Sequence, residues 1–175
     1  MLKNETVGLR AIEESDLPQL MDWRNKPELR KYFRGYDEIN TTNQYQWFKS
    51  VTASDSKHKM FAIVKLDTNT LLGACGLCYI DSINHSADFS IYIGYNDLYI
   101  DDIYAIHAAN LMIDYGFKVL NLHRLWAEIY SFDEKKKIFF NTLNFNLDGT
   151  LRETYRYDMK WYDSLFYSLL VTDKS

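Results

Sequence analysis

A chain of 175 residues, 47% apolar and 25% charged, has the length for one domain with its own core and the composition of an ordinary globular protein. The formal net charge of −4 and a pI near 5.5 speak against a nucleic-acid binder, which would carry a basic face. No apolar run approaches a membrane span, and Met1 to Arg10, with Lys3 and Glu5, lacks the apolar segment of a secretory signal.

In chain order, Val7 to Arg10 alternates weakly and reads as a first strand. Ser15 is placed to cap a helix over Asp16 to Arg24, with Pro18 in its first turn, where a missing N–H costs little. That helix offers Leu17, Leu20 and Met21 to a core. Pro27 opens a second short helical piece through Tyr32. Thr41 or Thr42 caps a third, with Tyr45, Phe48 and Val51 on its apolar side.

Strands are expected over Lys59 to Leu66 and Leu71 to Ile80, joined by the polar turn Asp67-Thr-Asn-Thr70. The second holds both cysteines, Cys75 and Cys78. Their C-x-x-C spacing invites a metal or redox reading, but residues three apart on a strand point to opposite faces. The four histidines are scattered, so two reduced thiols in a cytoplasmic protein, with no metal, is the reading preferred here. Ala87 to Ile93 alternates cleanly, setting Ala87, Phe89, Ile91 and Ile93 against Asp88, Ser90 and Tyr92, and Gly94 ends it.

The strongest periodic signal follows: Ala108, Leu111, Met112, Tyr115 and Val119 form one helical stripe, with Asp101 and Asp102 ahead of it as caps. A strand over Arg124 to Tyr130 leads to Asp133, which caps a helix through about Leu143. Asp148 to Tyr157 and Lys160 to Leu170 read as a final hairpin. The order β, helices, βββ, α, β, α, ββ describes a single mixed α/β (α+β) domain over residues 1–175.

This order, together with Trp23-Arg-Asn-Lys-Pro-Glu-Leu-Arg30, Ala87-Asp-Phe-Ser-Ile-Tyr-Ile-Gly94, the Asp-Tyr-Gly-Phe run ending at Phe117, Asn121-Leu-His-Arg124 and Gly149-Thr-Leu-Arg-Glu153, resembles the GNAT superfamily of N-acetyltransferases. The likeness is closest to its ribosomal-protein-type and spermidine-type branch and spans nearly the whole chain. It implies a mixed central sheet of about seven strands with helices on both faces. It also implies direct transfer of an acetyl group from acetyl-CoA to a primary amine, of a small molecule or a peptide N-terminus. A homodimer is compatible with it. Backbone amides near Ile91, Tyr92 and Ile93 would serve the pantetheine arm and the developing oxyanion. The strand Leu125 to Ile129 would splay away to admit the thioester, and the turn carrying Ile103, Tyr104 and Ala105 would hold the pyrophosphate on free helix N–H groups. Glu128 or Asp88 would take the amine proton, and each is otherwise an exposed strand carboxylate. Asp133 stands where relatives often carry an asparagine touching the cofactor arm. Lys136, within the run Lys135 to Lys137, would be part of a phosphate clamp, or of a solvated helix face. Arg24, Asn25 and Arg30 belong to the region that covers the acceptor in relatives, or are ordinary helix-surface residues.

Two departures stand out. The phosphate-loop pattern Q/R-x-x-G-x-G/A is here Ile100-Asp-Asp-Ile-Tyr-Ala105, matching only at Ala105, with Ile103 in place of the glycine and two aspartates nearby. Phe140 stands where relatives carry the tyrosine that protonates the departing thiolate. An alternative follows from these departures: a degenerate GNAT-fold module that binds a ligand or partner without catalysis.

Overall fold

The computed structural model describes residues 1–174. Strands β1 (Leu2–Lys3), β2 (Val7–Ala11), β3 (Lys59–Lys65), β4 (Leu71–Asp81) and β5 (Ser86–Ile93) form a continuous antiparallel run. Beside β5 lies β6 (Arg124–Tyr130), and the long hairpin of β7 (Asn146–Tyr157) and β8 (Lys160–Leu170) completes an eight-stranded sheet with β7 at the edge. The sheet holds one strand more than the seven expected, because β1 is two residues long and carries no alternation to read. Helices α1 (Leu17–Asn25), α2 (Pro27–Arg30), α3 (Thr41–Thr52), α4 (Tyr104–Asp114) and α5 (Glu134–Thr142) fall close to where the sequence places them. Ser15, however, lies inside a 3-10 turn (Glu14–Asp16) ahead of α1 instead of capping it, and α2 stops short of Tyr32.

Cross-strand partners share a face, so the register sorts the sheet into two sides. Phe61, Cys75 and Ile91 are aligned, and Phe61 meets the ring of Tyr115 just after α4; this is the α4 side. Met60, Gly76 and Ser90, and Ala62, Ala74 and Tyr92, look to the other side, towards α1 and α3. Both sides are therefore covered at the centre. That is why Asp88 and Tyr92, alternate residues of β5, are as buried as Ile91 and Ile93.

Local chemistry sets the element ends. The cap of α3 is Asn40, whose Oδ1 accepts from the Asn43 amide, in place of Thr41 or Thr42. Helix α4 runs into a π turn at Tyr115–Val119. The wider turn rotates the last stripe residue outwards: Val119 is 63% exposed, whereas Ala108 and Met112 are buried. Cys75 is buried on the α4 side, and Cys78 lies half-buried towards α1 and α3 with its Sγ 3.6 Å from the Met60 Sδ.

Candidate active site

Strands β5 and β6 pair over only three positions, Ser86 with Arg124, Ala87 with Leu125 and Asp88 with Trp126. Beyond them β6 keeps its full register with β8 from Arg124 to Tyr130, while β5 stays with β4. The two strands diverge from a shared origin and open a wedge into the sheet.

The open edge of β5 offers fewer donors than the sequence implies. The amides along a strand point alternately to its two sides. Gly94 donates to Leu72 of β4, and the Tyr92 amide shares that side; Ile93 points to the wedge, but exchanges both backbone bonds with Tyr99 at 2.8 Å. Ile91, two residues earlier, faces the wedge on the same edge as Ile93. Tyr99 is itself held firmly: it is buried in the left-handed region (φ 57°), stacks on Tyr32 at 4.0 Å and donates its hydroxyl to Asp133. Asp133 uses its other oxygen to cap α5 at the Lys136 amide, so both oxygens are committed inside the protein.

At the start of α4, the Asp101 carboxylate accepts from the amides of Ile103 (3.1 Å), Tyr104 (2.9 Å) and Ala105 (2.8 Å). Three N–H groups converging on one anion make this turn an anion cradle, and Asp101 stands in it where a phosphate oxygen would sit. These donors are of the kind a pyrophosphate oxygen needs, and in this structure the Asp101 carboxylate occupies them. Ile103, in place of the expected glycine, is 57% exposed.

On the α1 and α3 side of the wedge lies a cavity of about 360 Å³, lined among others by Arg24, Arg34, Asp88, Glu128 and Lys136. Arg34, in the connection between α2 and α3, reaches across 54 positions to Asp88 (Nη1–Oδ2 2.6 Å) and across 94 to Glu128 (Nε–Oε2 2.9 Å). Glu128 also accepts from Ser164 Oγ at 2.6 Å, and Ser164 meets Thr154 at 2.6 Å. Asp88 is 5% exposed; its burial pushes its pKa above the usual carboxylate range against the opposing pull of Arg34. The sequence nominated Glu128 and Asp88 separately, and the fold brings them to one guanidinium. It did not nominate Arg34, which sits in an aperiodic Phe33-Arg-Gly35 stretch.

Other nominated residues take different places. Lys136 faces this cavity, 5.4 Å over the Tyr99 ring. Asn25 exchanges two hydrogen bonds with the backbone of Ile39 at 2.7 and 2.8 Å, pinning the start of α3. Phe140 is 1% exposed and packs on Phe89, Phe139, Phe145 and Tyr167, so its position belongs to the core. Burial pushes the Cys78 thiol up to about 12, which makes it a poor nucleophile.

The chain matches the sequence model described as "Acetyltransferase (GNAT) domain" over residues 6–145. Among curated proteins it is 26% identical to an uncharacterized N-acetyltransferase, p20, of Bacillus licheniformis, covering 97% of this chain and 95% of that one. It is 28% identical to the spermidine N(1)-acetyltransferase of Escherichia coli K12, over 83% of this chain and 76% of the relative. In three dimensions it superposes on the spermidine N-acetyltransferase from Vibrio cholerae in complex with CoA and spermine. That match has a TM-score of 0.85, with 22% identity, 97% of this chain and 98% of that chain covered.

Proposed function

Because the chain belongs to the GNAT acetyltransferase family, whose members move an acetyl group from acetyl-CoA to an amine, we propose how its own residues divide that work. Acetyl-CoA supplies the thioester carbonyl that the amine attacks, and everything else falls to the protein. The wedge between β5 and β6 receives the acetyl end, with the Ile91 amide facing the oxygen on which charge develops. The amides of Ile103, Tyr104 and Ala105 hold the pyrophosphate in place of the Asp101 carboxylate.

The acceptor is a small-molecule amine bound in the cavity beside Asp88 and Glu128. The spermidine and spermine named for the relatives are also small-molecule amines. An alkylammonium has no lone pair, so a proton must leave before nitrogen attacks carbon. Glu128 takes it. It is the more open of the two carboxylates, and Ser164 and Arg34 fix its orientation. Asp88, buried deeper, anchors Arg34 and acts as a positioning residue. As the C–N bond forms and the C–S bond breaks, the departing thiolate receives no proton from Phe140. A thiol with a pKa near 8.5 is a fair leaving group without that help.

The observation that carries this reading is the convergence of two carboxylates on one cavity at the mouth of a wedge in the sheet. An amine panel with a free-thiol readout identifies an acceptor. On that acceptor Glu128→Gln should lower kcat by about 10²–10⁴-fold, with acetyl-CoA binding retained. Unchanged turnover in the variant would remove Glu128 from the mechanism.

A further inference from the structure

Two cations face the cavity without forming an ion pair among the described residues. Arg24, in the last turn of α1, lays its guanidinium 4.0 Å over the Phe33 ring, and its Nε is enclosed with no hydrogen-bond partner. Among the described residues no carboxylate pairs with it, and burial draws its pKa below the usual arginine value. Lys136 likewise makes no ion pair through its Nζ among the described residues. Burial lowers its pKa against the pull of Asp133 and Asp88. The charged lining comprises three cations (Arg24, Arg34, Lys136) and two anions (Asp88, Glu128), and Arg34 already occupies both anions. The surplus is positive. Arg30 also has an unpartnered Nε, but it lies over Tyr36 and outside this lining.

An enclosed guanidinium nitrogen without a hydrogen-bond partner costs stability, and a ligand that supplies the acceptor recovers it. Its planar fork suits the two oxygens of a carboxylate or phosphate. A polycationic amine would add positive charge beside Arg24, which no carboxylate neutralises among the described residues. We propose that Arg24, supported by Lys136, forms an anion subsite in the acceptor cavity, so that the acceptor amine also carries a carboxylate or phosphate group. This rests on the acetyl-transfer reading, deepens it, and separates this chain's acceptor from polyamines.

Thermal melting at constant ionic strength tests it with four probes: O-phosphoethanolamine, β-alanine, n-propylamine and spermidine. At least one anionic amine should raise the melting temperature of the wild-type chain, while n-propylamine and spermidine should not. A response to O-phosphoethanolamine alone identifies phosphate, and to β-alanine alone carboxylate. Arg24→Met should abolish the anion-dependent shift and raise the melting temperature of the unliganded protein by about 2–4 °C, because the unpaired charge is gone. Arg24→Lys should keep a weakened shift. Inert anionic amines, an equal response to spermidine, or a shift that survives Arg24→Met would each overturn the subsite. CoA titrated into the wild-type and Arg24→Met chains should bind equally. Loss of CoA binding by the wild-type chain would count against the acetyl-transfer reading, and the amine arms judge the subsite separately.

Discussion

At the scale of single residues, the site turns on one guanidinium between two carboxylates. Arg34 opposes the burial that pushes Asp88 above the ordinary carboxylate range. Arg34→Gln removes that opposition, so the Asp88 pKa rises further and that carboxyl ionises at higher pH. The acid limb of kcat/KM for an identified acceptor should therefore move to higher pH in the variant. Stability follows the same sign. A carboxyl raised in the folded state contributes stability below its unfolded pKa, and that contribution is lost as pH climbs through the folded value. The melting deficit of Arg34→Gln should accordingly widen from acid to neutral pH. A limb that stays in place would show that Asp88 does not feel Arg34 in the working enzyme. None of this was legible in the sequence. Glu128 and Asp88 were implied as candidate bases by the family resemblance, on strands that could be read. Arg34 could not, since a contact across 54 positions from an aperiodic loop leaves no local pattern. Arg24 was visible only as an undecided helix residue, because its lack of a partner is a property of the packed molecule.

At the scale of elements, α4 shows how a departure from a family pattern resolves into geometry. The sequence places two aspartates where a glycine-bearing phosphate loop is expected. In the structure one of them, Asp101, caps the helix on three amides, an ordinary use of an acidic residue at a helix start. On the donor site proposed above, the same contacts make it a competitor for the pyrophosphate. Asp101→Ala should thus have two opposed effects. Loss of the cap costs about 0.5–2 kcal/mol, measured by urea unfolding of the free protein. Removal of the competing anion should lower the KM for acetyl-CoA. If KM rises along with the loss of stability, Asp101 organises the loop for the donor and does not compete with it. The stripe along α4 was readable from its 3.6-residue period as far as Tyr115, which packs on Phe61. It failed at Val119, because a π turn changes the period and nothing in Tyr115–Val119 announces one.

At the scale of the whole molecule, the sheet is two units sharing three register pairs. One runs from β1 to β5, and the other is β6 with the β7–β8 hairpin. Alternation and turn residues made nearly every strand legible. The wedge was implied only through resemblance, since divergence of two strands is a relation between segments whose paired residues lie 38 positions apart. A donor lodged in that wedge contacts both units and the start of α4 together, so its binding energy is felt by the global unfolding transition. At a hundred times its Kd, acetyl-CoA stabilises the native state by about 2.7 kcal/mol, or about 5–11 °C in a chain of this size. Amide exchange should localise the effect. Ile91 and the turn at Ile103, Tyr104 and Ala105 should gain protection, whereas β7, at the far edge, should exchange as before. A melting temperature unmoved by millimolar acetyl-CoA would mean that Asp101 keeps the cradle to itself, and the chain would then be a GNAT fold that has lost its donor. A shift accompanied by protection confined to β7 would place the donor outside the wedge altogether.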